Sequence, residues 1–156
     1  MKKNLLKCLV YFFAIATVIS VYAFTNTKEE QAASVTEEKG IKFIEQDWNQ
    51  ALKQAKAENK LIFVDMYATW CGPCKMLKKN TFSDNAVGEF FNKTFINVSV
   101  DGEKSVGPEL VRKYSVHLYP SLFVLDADGN PVLYTAGYIT PDQLMSFAKE
   151  ALKRKS

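Results

Sequence analysis

Cys71 and Cys74 stand two residues apart in the run Trp70-Cys71-Gly72-Pro73-Cys74-Lys75, a spacing that suits thiol-disulfide exchange. That reaction needs one thiolate to attack a disulfide and a second thiol close enough to resolve the mixed disulfide without strain. If Cys71 opens the helix that carries Cys74, unpaired N–H groups and the helix dipole favour its thiolate and bring its pKa below the free value of about 8.5. Cys71 is then the expected nucleophile, and Cys74, one turn inside and less exposed, the resolving thiol. Pro73 is tolerated because the first helical N–H groups have no partner to lose, and Gly72 leaves the approach to the sulfur open. A zinc site would need two further ligands, and the sequence offers one histidine, His117, and no second pair of this kind. No metal and no cofactor is expected beyond the redox-active disulfide itself. His117 is expected to be structural or exposed rather than a catalytic base.

The third cysteine, Cys8, belongs to a different segment. Met1 to Ala23 carries Lys2, Lys3 and Lys7 ahead of an apolar run from Cys8 to Ala23, with no acidic residue. A basic start, an apolar stretch and the ending Val21-Tyr22-Ala23 predict a signal peptide over residues 1–23. An uncleaved membrane anchor is the alternative, since Cys8 to Phe24 is at the lower limit of what can span a bilayer. The remaining pair closes almost no loop, so in an oxidising compartment it is better read as chemical than as structural. The expected location is exported, periplasmic, or secreted or membrane-anchored through the N-terminus.

The leader holds 3 of the 20 Lys and Arg residues, which leaves 17 bases against 17 acids. A formally neutral domain lacks the long-range positive field that draws nucleic acid or anionic membrane surfaces. Residues 24–40 are polar, charged and poor in large apolar residues, and read as a flexible linker. What remains, residues 41–156, is long enough for one packed domain; 47% of the whole chain is hydrophobic.

The elements that must position the pair follow from pattern. Asp47 is a cap for a helix reaching about Asn59, and Leu61 to Tyr67 is a nearly continuous apolar strand of the kind buried on both faces. Asp65 is the one charge inside it. A helical pattern continues from the cysteines through Lys79, and Ser83 or Asp84 caps another helix through Asn92. Phe95 to Asp101 reads as a strand, Pro108 to Tyr114 as a short helix, and Pro120 to Leu125 with Pro131 to Ala136 as a hairpin around Asp126–Asn130. Thr140-Pro141-Asp142 opens a last helix whose inward stripe is Leu144, Phe147, Ala148 and Leu152. The order implies an α/β fold, a mixed central sheet with helices on both faces.

The run Phe63-Val64-Asp65-Met66-Tyr67-Ala68-Thr69-Trp70-Cys71-Gly72-Pro73-Cys74-Lys75 resembles the active-site strand and turn of the thioredoxin family. With Lys60-Leu61 before it and Thr81-Phe82-Ser83-Asp84 after it, it is most similar to the C-terminal periplasmic thioredoxin-like domain of transmembrane thiol:disulfide interchange proteins. The similarity runs from about Ile44 to Leu152 and implies the thioredoxin fold. It implies that Asp65 is a buried carboxylate that exchanges a proton with Cys74. It also implies that Tyr119-Pro120 contains a cis bond facing the cysteines and, with Trp70, Gly72 and Pro73, binds the partner chain. Two positions depart from the pattern: Asn97 stands where many thioredoxins carry a lysine paired to the carboxylate, and Tyr67 replaces a frequent tryptophan.

The expected function is therefore an exported thiol-disulfide oxidoreductase that reduces partner disulfides by Cys71 attack and Cys74 resolution. Its partners would be protein thiols and disulfides, with an upstream membrane or soluble thiol reductant. The alternatives are an oxidase or isomerase of the same fold, because potentials on this scaffold span about 150 mV, or a non-catalytic module that binds an extended polypeptide.

Overall fold

The computed structural model describes residues 39–155. The leader expected over residues 1–23, and the linker expected over 24–40 apart from its last two residues, lie outside the described residues. The first short strand, β1 (Ile44–Glu45), precedes α1 (Trp48–Glu58). Asp47 caps α1 by accepting the Gln50 N–H at 2.9 Å, and Asn59 ends it in the left-handed region at φ 50°.

The central strand β2 (Leu61–Tyr67) is followed by α2 (Gly72–Leu77), a π-helical turn (Lys78–Phe82) and α3 (Asn85–Thr94). Asp84 is the cap of α3, its carboxylate accepting the Val87 N–H at 3.0 Å. Then come β3 (Phe95–Asp101), α4 (Gly107–Lys113), β4 (Ser121–Leu125), β5 (Pro131–Ala136) and α5 (Pro141–Lys155). The sheet order is β1-β3-β2-β4-β5, with the first three strands parallel and β4 and β5 antiparallel.

Alternation along β2 explains the two cores. Ile62, Val64 and Met66 pack with Trp48, Ala51, Ala55 and Leu110 on the face of α1 and α4. Leu61 and Phe63 pack with Leu77, Val87, Phe91, Leu144 and Ala148 on the face of α2, α3 and α5. Period-2 geometry puts Asp65 on this second side, under α2.

Two features differ from the sequence expectation. β1 has two residues, too few for any alternation to show, and exists as a strand through its register with β3, Ile44 opposite Val98 and Glu45 opposite Ser99. The stretch between the expected helices is wound as a π turn, because Thr81 and Phe82 both point inward and the Thr81 hydroxyl donates to the Ile139 carbonyl at 2.7 Å. The wider turn supplies the extra residue that this inward pair needs.

The domain's first described residues are tied to α3. Gly40 is buried, its carbonyl accepts Asn92 Nδ2 at 3.1 Å, and Gly88 lies directly against its backbone. A Cβ at Gly88 would collide with the Gly40 main chain. Gly88→Ala is expected to cost about 1–3 kcal/mol, read as a lower urea midpoint; an unchanged midpoint would mean the 39–41 segment can detach freely.

Candidate active site

The site forms where the C-terminal ends of β2 and β3 meet the start of α2. In β2–β3 pairing Asp65 is opposite Ser99 and Tyr67 opposite Asp101, while β4 brings Leu122 opposite Asp65. Cys71 is the cap of α2: its backbone is extended at φ −70° and ψ 112°, and its Sγ accepts the Cys74 N–H at 3.1 Å. Cys71 and Cys74 are joined as a disulfide with Cα atoms 5.3 Å apart. A sulfur that receives a backbone N–H at a helix start is the one better placed to carry negative charge after reduction. Gly72 and Pro73, the first two helical residues, are exposed, and a side chain at Gly72 would meet nothing.

Exposure corrects one expectation. Both residues of the pair are buried, and Cys74 at 8% exposure is not the more covered residue beside Cys71 at 2%. The Cys71 sulfur is folded back over the first helical turn, and Ala68 and Tyr119 pack on the pair. Cys74 instead borders a cavity of about 110 Å³ that also touches Asp65, Tyr67 and Ser99.

Asp65 accepts a hydrogen bond from the Ser99 hydroxyl at 3.2 Å. Burial raises its pKa from 3.8 to about 7; the Ser99 hydrogen bond and the positive charge of Lys78 pull it down, and Glu45 pushes it up. Asn97, the residue aligned with a family lysine, does not meet this carboxylate. It is two residues earlier on the same face of β3, and its Nδ2 donates to Asn92 Oδ1 at 3.3 Å. The residue opposite Asp65 is Ser99, which strand register reveals and motif alignment does not.

The rim is aromatic. Trp70 is 67% exposed, its indole N–H donates to Glu103 Oε1 at 2.9 Å, and it meets Tyr119 edge-on with centroids 6.1 Å apart. Tyr119 lies against Gly102, where a Cβ would strike its ring. The Tyr119–Pro120 bond is cis, and the Pro120 carbonyl accepts the Gly137 N–H at 2.8 Å inside the hairpin. That carbonyl is engaged within the domain. Glu103 escaped the sequence reading because it is an acidic loop residue 33 positions from Trp70, with no local signal. His117 is exposed.

A larger pocket of about 290 Å³ lies towards the start of β3, beside Lys42, Glu58, Lys60 and Asn97. It contains no thiol, so the smaller cavity is the one that bears on the chemistry.

Fold and site together define the class: a thioredoxin fold carrying a cysteine pair at a helix start, with a buried carboxylate beside the second cysteine. Residues 48–152 match the Thioredoxin-like domain family, and the chain belongs to that family. It is 35% identical over 97 residues to Thioredoxin Y1, chloroplastic, from Arabidopsis thaliana, a match covering 62% of this chain and 53% of that one. It is 33% identical over 122 residues to the Thiol:disulfide interchange protein DsbD of Vibrio vulnificus, covering 77% of this chain and 20% of the relative. The chain thus spans about half the length of the first relative and about a fifth of the second. Among solved structures it is similar to a Bacteroides thetaiotaomicron protein proposed to be a disulphide-isomerase, with TM-score 0.66 and 42% identity over 74% of this chain and 95% of that one.

Proposed function

We propose that the protein is an exported protein-disulfide reductase, active in the periplasm. The observation that carries the reading is the Cys71 sulfur at the cap of α2, bonded to the Cys74 N–H, with Asp65 behind the second thiol. The basic, apolar leader and the likeness to interchange proteins support export.

In the reduced protein the Cys71 thiolate attacks a partner disulfide, forms the mixed disulfide and expels one partner thiolate. Asp65, as carboxylate, takes the proton of the Cys74 thiol. The Cys74 thiolate attacks the Cys71 sulfur, closes the internal disulfide and releases the second partner thiolate. Two electrons pass to the partner, and an upstream thiol reductant, membrane-bound or soluble, restores the pair. Trp70, Gly72, Pro73 and Tyr119 form the surface on which the partner chain lies, with the buried Pro120 next to Tyr119 holding its cis bond. Apart from the cysteine pair the mechanism uses no cofactor.

Insulin reduction followed by turbidity tests the activity: the wild type is expected to accelerate precipitation and Cys71→Ser to fall to the uncatalysed rate. Equal slow rates in both would leave a polypeptide-binding module. The direction is read from the redox potential of the pair, expected nearer to thioredoxin's value of about −270 mV than to the −120 mV or so of a strong oxidant.

A further inference from the structure

Among the described residues Asp65 is in no ion pair, and Asn97, which stands where a lysine would be expected, is bonded to Asn92 instead. Charged groups nevertheless reach the cavity behind Cys74. Lys78 follows Cys74 by four residues, one helical turn along the same face, at the point where α2 passes into the π turn. Glu45 comes from β1, beside Ser99 in register. Both side chains are exposed and both line the cavity that holds Asp65 and Cys74. The remaining polar and charged groups facing it are Lys75 from α2, Tyr67 from β2 and Ser99 from β3. Asp101, further along the same face of β3, is in an ion pair with Lys104 at 3.0 Å.

We propose that Lys78 and Glu45 are positioning residues of opposite sign that govern proton exchange between Asp65 and Cys74 through the cavity they share. The inference rests on the exchange chemistry proposed above. The Lys78 ammonium favours the Asp65 carboxylate, the form able to accept the Cys74 proton, and Glu45 favours the neutral acid. Lys78 thus supplies from the start of the π turn the positive charge that Asn97 does not supply from β3. The balance between the two sets the pH above which resolution of a mixed disulfide is fast.

The test is a carbon-13 NMR titration of the Asp65 carboxyl in the oxidised full chain. Lys78→Met is expected to raise its midpoint, and Glu45→Gln to lower it, each by about 0.3–1 pH unit. Lys78→Arg should keep the wild-type midpoint, and 1 M salt should shrink both displacements. The pH profile of insulin reduction should move in the same two directions, which a merely structural role for either residue would not produce. Unmoved midpoints, or midpoints displaced the same way by both variants, would overturn the pairing. Opposed displacements in a wild type that does not reduce insulin would remove the reductase reading and leave the charge pair standing.

Discussion

Asp65→Asn is expected to stabilise the oxidised protein by about 2–4 kcal/mol at pH 8 and by less than about 1 kcal/mol at pH 4. The cause is the burial that raises the carboxyl from 3.8 to about 7. Well below pH 3.8 the acid is protonated in both folded and unfolded chains, and its titration contributes nothing. Between pH 4 and 7 the unfolded chain ionises while the folded one holds its proton, so stability falls as pH rises. Above 7 the full penalty is in place, and an amide of the same shape removes it while retaining an oxygen for the Ser99 hydroxyl. Urea titrations of both proteins at pH 4, 6 and 8 measure the difference. A gain of equal size at all three values would show that the carboxyl is not the source. The same variant should resolve mixed disulfides slowly, so the group that weakens the fold is the one the reaction uses.

Under the proposed reductase activity, Cys74→Ala should convert turnover into trapping. Attack by Cys71 needs only its own thiolate, held at the start of α2, and that capping position survives the substitution. Resolution needs the second sulfur. Partner proteins are therefore expected to accumulate as covalent adducts approaching one per Cys71, while multiple turnover disappears. Non-reducing electrophoresis of cell extracts, followed by release with a small thiol, reads this directly. An extract with no thiol-releasable adducts would show that partners are not engaged through Cys71.

The local parts of this site were legible in sequence because their signals are local. The cysteine spacing, the apolar run around Asp65 and the Tyr119-Pro120 dipeptide each occupy a few consecutive residues, and strands buried on both faces declare themselves as unbroken apolar runs. The rest depended on contacts between distant residues. Ser99 became the neighbour of Asp65 only when the parallel register of β2 and β3 was known, and alignment by motif pointed two residues away, to Asn97. The π turn depends on a hydrogen bond from Thr81 to a carbonyl 58 residues on. Glu45 reaches the site from a strand of two residues. Lys78 was readable in principle, being one turn from Cys74, yet a lysine on a helix is ordinarily a solvated side chain.

The buried side chains fall into two large clusters, one on each face of the sheet, and Cys71, Cys74 and Ala68 form a third that belongs to neither. The bond made and broken in every catalytic cycle therefore contributes little to what holds the chain together, and it closes a loop too short to restrain the unfolded chain much. Oxidised and reduced forms can share one scaffold. The pair lies outside both packed faces of the sheet, at the edge of the domain and not within either core.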